Sequence, residues 1–246
     1  MPSIYLSPST QEYNLFVNGG TEEEYMNLIA DAMEPYLRSS GITFTRNTPE
    51  MTAASSIRQS NEGNYDVHLA LHSNAAPEGQ SGQIQGVEVY YYPNSTQGKI
   101  LAETIAQSLM QIYPTPSNVK IVPTTRLGEV SRTRAPGVLI EYAYHDNEAD
   151  ANWIKDNIQE IAAYTVMALT QYFDIPFIPP RVPQEGVVSV RSGNLNIRNR
   201  PSLNSAVLTQ APNGAILTVY GRWEDWYVVE YNGVTGYASA NYIQLY

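Results

Sequence analysis

A chain of 246 residues, 43% hydrophobic and 15% charged, has apolar material for one large and one small domain. It has no cysteine, which excludes disulfides and thiolate chemistry and leaves histidine and carboxylates as metal donors. A net charge of −10 argues against a nucleic-acid partner, and no run of roughly 18 apolar residues offers a membrane span.

The first residues, Met1-Pro2-Ser3-Ile4-Tyr5-Leu6, lack a basic region and a long apolar stretch, so no signal peptide is visible. Up to residue 174, apolar strand-like runs alternate with helical patterns. Strands are predicted at Ser3–Ser7, Ile42–Arg46, Val67–His72, Val87–Tyr92 and Val138–Tyr142. Helices are predicted at Glu22–Ser39, Glu50–Asn61, Thr96–Ile112 and Glu148–Phe173. The alternation predicts an α/β architecture, a mostly parallel sheet flanked by helices.

In the first helix, Met26, Ala30, Met33 and Leu37 define a buried stripe. Extended back by three residues, the stripe reaches Glu23 and leaves Glu22 and Glu24 off the face. Glu23 is therefore expected to point inward where strand ends converge. The third strand carries His68 and ends in His72, followed at once by polar Ser73-Asn74. A strand tip is where open α/β sheets bind ligands, so His72 is a candidate metal ligand. His68 shares its face but lies about 13 Å away, too far to share an ion, and is expected to be structural. Polar Ser73–Gln85 is expected to wall a substrate groove.

Glu141 interrupts the apolar strand Val138-Leu139-Ile140-Glu141-Tyr142. A carboxylate so placed must be paired or have a shifted pKa, and is a candidate general base. His145, four residues on, is a second candidate for the site.

Asp174-Ile175-Pro176-Phe177-Ile178-Pro179-Pro180 cannot continue a helix and predicts an extended spacer over 175–186, separating domains 1–174 and 187–246. The charge changes there too. Residues 1–180 hold 9 Lys+Arg against 20 Asp+Glu, a balance of −11, and residues 181–246 hold 5 against 4, a balance of +1. Short strand-like runs follow, with Asn232-Gly233 as a hairpin turn, predicting a small all-β barrel.

These residues resemble the zinc-dependent N-acetylmuramoyl-L-alanine amidases of the amidase 3 type. The resemblance rests on Tyr65–Ala75, ending in His72-Ser73-Asn74; on Ala135–Glu141 continuing to Asn147–Asp150; and on Glu23 four residues before Asn27. It implies Zn2+ held by Glu23 and His72, a metal-activated water with Glu141 as general base, and cleavage between N-acetylmuramic acid and L-alanine. The family's first zinc-ligating histidine lies in a loop after strand one. Here that loop, Leu6–Asn14, has none, so His145 is expected as third ligand, with Glu12 or Gln11 as alternatives. The C-terminal segment, from Leu195-Asn196-Ile197-Arg198 to Gly233–Tyr237, resembles bacterial SH3 (SH3b) domains, which implies a cell-wall ligand. Six aromatics, Trp223, Trp226, Tyr227, Tyr231, Tyr237 and Tyr242, are shared between its core and that surface.

The expectation is a monomeric peptidoglycan hydrolase acting outside the cell or in the cell wall, without membrane insertion. A phage-type release or a removed leader would explain the missing signal peptide. The alternative is a non-catalytic peptidoglycan-binding protein on a degenerate amidase fold. A metallocarboxypeptidase would need an arginine at the site, with Arg126, Arg132 and Arg134 available.

Overall fold

The structure, a computed structural model, describes all 246 residues. The chain divides into two compact units. The larger comprises Ser3–Met33 and Phe44–Tyr172; the smaller comprises Met1–Pro2, Glu34–Thr43 and Phe173–Tyr246.

The elements run β1 (Ser3–Pro8), α1 (Glu22–Ser39), β2 (Thr43–Arg46), α2 (Ala53–Glu62), β3 (Val67–Asn74), β4 (Val87–Tyr91) and α3 (Thr96–Leu109). They continue with β5 (Val119–Pro123), α4 (Gly128–Ser131), β6 (Gly137–Tyr144), α5 (Glu148–Asp156) and α6 (Ile158–Phe173). The sheet has the order β2-β1-β3-β6-β4-β5. β3 pairs in parallel with β1 and β6, and β4 in parallel with β5, whereas β4 meets β6 antiparallel. The expected mostly parallel sheet is present, with that one antiparallel junction. β3 is central, and Val67, Leu69, Ala70 and Leu71 have no exposed surface, as a strand covered on both faces requires.

Three elements of the larger unit differ from the pattern reading, one of them α4, a four-residue turn that the pattern leaves unmarked. β5 is a short edge strand in which only Val119 is buried and which ends at Pro123, so no alternation marks it. The last helix breaks at Asn157, whose φ of −121° and ψ of 21° leave the helical region while its Nδ2 donates to Trp153 O. An asparagine that bonds the local backbone offers the chain an alternative to the helix ladder.

Asp150 sets the C-terminal end of β6. Its carboxylate accepts from the Tyr144 and Gly86 amides, both at 3.0 Å, and from the Tyr113 hydroxyl at 2.6 Å. Just before Tyr144, Ala143 has a φ of +64°, and the β3–β6 register shifts between His72 and Asn74. Holding a non-glycine residue there costs on the order of 1 kcal/mol, and such a bulge re-aims the residues around it.

The smaller unit is an antiparallel sheet of β7 (Gln184–Val188), β8 (Asn194–Arg198), β9 (Val207–Pro212), β10 (Ile216–Trp223), β11 (Trp226–Tyr231), β12 (Val234–Ser239) and β13 (Ile243–Leu245). Its order is β13-β7-β10-β11-β12-β8-β9. Asn232 and Gly233 join β11 to β12 with φ of +49° and +76°, as the hairpin reading expects. The core is apolar throughout: Val188, Leu195, Ile197, Leu217, Val229 and Ile243 pack together. The proline-rich segment has no regular structure before β7, but Ile178 is only 2% exposed and packs with Val228 and Tyr237.

Candidate active site

Strand register builds the centre of the site. His72 on β3 lies opposite Glu141 on β6, and Glu141 lies opposite Glu88 on β4. Residues opposite one another in a ladder project to the same face, so this row is set by backbone pairing.

Glu22, the first residue of α1, meets this row. Its Oε1 is 2.7 Å from His72 Nδ1, and its Oε2 accepts from Asn14 Nδ2 at 2.5 Å. Burial raises the Glu22 carboxyl, but hydrogen bonds from His72, Asn14 and Ser9 outweigh it and hold the group below its ordinary value. Gln11 Nε2 lies 3.3 Å from the same His72 nitrogen. On the other side of the ring, His72 Nε2 is 3.0 Å from Glu129 Oε2. Burial alone would lower the imidazole pKa; the bonds to Glu129 and Glu22 instead lift it well above its usual value. Glu129 is held low for the converse reason, with His68 and His72 together overcoming its burial.

Glu141 contrasts with these paired carboxylates. The residue as a whole is only partly buried, yet its Oε2 is sealed and has no hydrogen-bond partner. Burial pushes its pKa up to about 7; His72 pulls it down, while Glu22, Glu88 and Glu129 push it further up. A carboxyl poised near neutrality can both take and give a proton.

A cavity of about 710 Å³ opens beside His72 and Glu129. Its walls are the β1-following loop, Ser7–Tyr13, and residues 47–53 with Ser56. The expected wall, Ser73–Gln85, takes no part in that lining, and neither do Arg126, Arg132 or Arg134. The arginine that a carboxypeptidase reading needs is therefore not at this cavity.

The expected metal trio does not come together. Glu23 is the residue expected to point inward, but the structure puts Glu22 on His72, with Glu22 1% exposed and Glu23 partly exposed on the cavity wall. Ile29, omitted from the stripe, corrects the phase, because Glu22, Met26, Ile29 and Met33 follow spacings of 4, 3 and 4. His145 is buried at 5% exposure, but its Nδ1 lies 3.0 Å from both Ser73 Oγ and Ser73 O, and its ring stacks on Phe16. Its contacts tie loop to strand and do not reach His72.

Glu129 had no signal in the sequence. It sits in α4, a single turn of four residues in which no periodicity can develop.

Zinc sites that hydrolyse amides use three protein ligands and an open position. Glu22 and His72 are donors of the right kind, but no group of three His, Cys, Asp or Glu side chains is arranged to hold a metal ion. The donor set falls short of such a site by one ligand.

The smaller unit has its own groove, also of about 710 Å³, lined by Arg191, Arg198, Trp226 and Tyr242 among polar neighbours and without any carboxylate. The six aromatics divide by burial. Tyr237 and Tyr227 are core residues, while Trp223 and Tyr242 are 40% and 48% exposed.

The sequence matches the N-acetylmuramoyl-L-alanine amidase family over residues 10–171 and the bacterial SH3 domain family over residues 193–244. A comparison with curated proteins finds no match. Among solved structures, the fold is similar to that of the N-acetylmuramoyl-L-alanine amidase AmiC2 of Nostoc punctiforme. The two are 16% identical with a TM-score of 0.62, over 70% of this chain and 97% of that one. The catalytic domain of an endolysin targeting Clostridia difficile is 22% identical with a TM-score of 0.58, over 70% and 98%. The catalytic domain of CwlV, an N-acetylmuramoyl-L-alanine amidase from Bacillus (Paenibacillus) polymyxa var. colistinus, is 16% identical with a TM-score of 0.60, over 72% and 100%. The chain belongs to the N-acetylmuramoyl-L-alanine amidase family and carries a bacterial SH3 domain.

Proposed function

We propose that this chain hydrolyses the amide between N-acetylmuramic acid and L-alanine in peptidoglycan, with Glu141 as general base. The observation that carries this is the Glu141 carboxyl, near neutral in pKa, unpartnered at Oε2, and in register with His72 in a chain of amidase family. In the ionised form Glu141 takes a proton from the attacking water and returns it to the leaving L-alanine nitrogen. His72, opposite Glu141 in the ladder, pulls the Glu141 pKa down against its burial and so favours the ionised form. Zinc, when bound, would polarise the amide carbonyl and its water. Two of its ligands would be Glu22 and His72, so the metal is an arm of the test.

The smaller unit supports this activity by holding the chain on its polymeric substrate, which raises local concentration without new contacts at the reacting bond. Its arginine- and aromatic-lined groove is the surface we assign to that binding. On this reading the protein works in the cell wall.

A second reading, binding without catalysis, is favoured by one observation: both nitrogens of His72 are already engaged by carboxylates. The experiment incubates purified peptidoglycan with the protein as prepared, after chelator, and with added zinc. New L-alanine amines without new reducing sugars, in any arm, support the amidase. No release in all three, with the protein retained on the wall, replaces it with the binding reading.

A further inference from the structure

His68 and His72 lie four residues apart on β3, and a single carboxylate joins them. Glu129 Oε2 is 3.0 Å from His72 Nε2, while its Oε1 is 3.2 Å from His68 Nε2 and accepts from Ser7 Oγ at 2.5 Å. Behind His68, the Ser60 hydroxyl lies 2.9 Å from Nδ1, and the Tyr5 ring stacks on the imidazole. The members are buried: Ser7 at 1%, Ser60 at 3%, His68 at 0% and Glu129 at 5% exposure.

Stability does not account for this arrangement. Two buried ionisable groups lose about as much solvation as their attraction returns, and an apolar set of equal volume is commonly as stable. Position accounts for it better. A carboxylate that accepts one ring N–H of a working histidine fixes its tautomer and orientation and raises the basicity of the other nitrogen. Glu129 occupies Nε2, so the nitrogen turned towards Glu22 and Gln11 is Nδ1. The Glu129 carboxylate is itself fixed, because His68 and Ser7 both use Oε1 and leave Oε2 to His72 alone.

We propose that Glu129 is a positioning residue that clamps His72 with Nδ1 turned to Glu22 and Gln11, and that His68 positions Glu129. The catalytic consequence rests on the amidase reading; the clamp itself does not. His68, expected from its distance to be merely structural, thereby acts on the site through one intermediary.

The test uses the full chain with Glu129→Ala, Glu129→Gln, His68→Leu and His68→Gln. The first readout is the ring 15N spectrum of His72. It is expected to show a protonated Nε2 in the wild type and an altered ring pattern in Glu129→Ala. The second is hydrolysis of a soluble muramoyl peptide. Glu129→Ala is expected to lower kcat by about 10–100-fold with KM changed less than about twofold. Formate should restore part of that loss, since Glu129 borders the cavity and a small carboxylate can enter. His68→Leu should lose about tenfold, with His68→Gln recovering it by returning a donor towards Oε1. An unchanged His72 spectrum in Glu129→Ala overturns the clamp, and a kcat within about twofold of wild type overturns its catalytic consequence. If Glu129→Ala does not fold, the near-isosteric Glu129→Gln carries both readouts. If the wild type hydrolyses nothing, the amidase reading fails while the 15N spectrum still decides the clamp.

Discussion

The two units use polar chemistry in opposite ways. The larger one buries it: His68 and His72 on β3, Glu22 at the start of α1 and Glu129 in α4 are all under 10% exposed. The smaller one keeps its core wholly apolar and places Arg191, Arg198, Trp226 and Tyr242 along a surface groove. The charge balance divides similarly, at −11 for residues 1–180 and +1 for residues 181–246. Buried ionisable groups are costly to keep, yet the larger unit holds six histidines and carboxylates, His145 and Asp150 among them, and the proposed proton chemistry draws on part of this set. The apolar core and the groove lined by arginine and aromatic side chains fit the recognition role proposed for the smaller unit. On the proposed reading, Glu141, Glu129 and His72 serve the reaction, and Arg191, Arg198, Trp226 and Tyr242 the binding.

The division can be broken at either end, and the largest effect is expected at Glu141. Glu141→Gln keeps shape and removes the base, so release of L-alanine amines should fall by about 10²–10⁴-fold. Sedimentation with peptidoglycan should be unchanged. Equal loss in both assays would show that binding and chemistry share one site. Next is the apolar core of the barrel. Ile197→Ala removes a side chain with no exposed surface and should cost about 2–5 kcal/mol in chemical denaturation. Smaller again is the groove. Trp226→Ala should weaken retention on peptidoglycan by about 2 kcal/mol, roughly 30-fold in Kd, while turnover of a soluble muramoyl peptide stays constant. A turnover loss of the same size would end the assignment of recognition to the barrel.

Much of this was legible in the sequence because it is periodic. Central strands read as mostly apolar runs, the Asn232-Gly233 turn announced its hairpin, and Glu141 stood out as the one carboxylate in a buried strand. Glu22 was legible in principle, since Ile29 completes the helical stripe that leads back to it. Glu129 was not, because a four-residue helix offers no phase and its partners lie 57 and 61 positions away. The role assigned to His145 failed for a related reason. Nearness to a strand end says nothing of where a ring points, and here Ser73 and Phe16 hold it.

The smallest effect is one of pH, and it isolates the most informative group. Glu141 carries a folded-state pKa of about 7 against an ordinary 4.5. Below about pH 4.5 the group is protonated both folded and unfolded, and it contributes nothing. As pH rises, the unfolded chain releases this proton first, so stability falls until about pH 7 and then levels off. The full shift would amount to about 3 kcal/mol, which partial exposure of the residue reduces to about 1–2 kcal/mol. Glu141→Gln has no such proton to lose. Its stability relative to wild type should therefore increase by that amount between pH 5 and pH 8, measured by urea denaturation at each pH. The barrel variant Ile197→Ala should show no such trend, since none of its packing partners in the apolar core carries a charge. A flat difference for Glu141→Gln would return the carboxyl to an ordinary surface pKa. It would also remove the main physical reason for giving this residue, among the four glutamates of the site, the task of moving the proton.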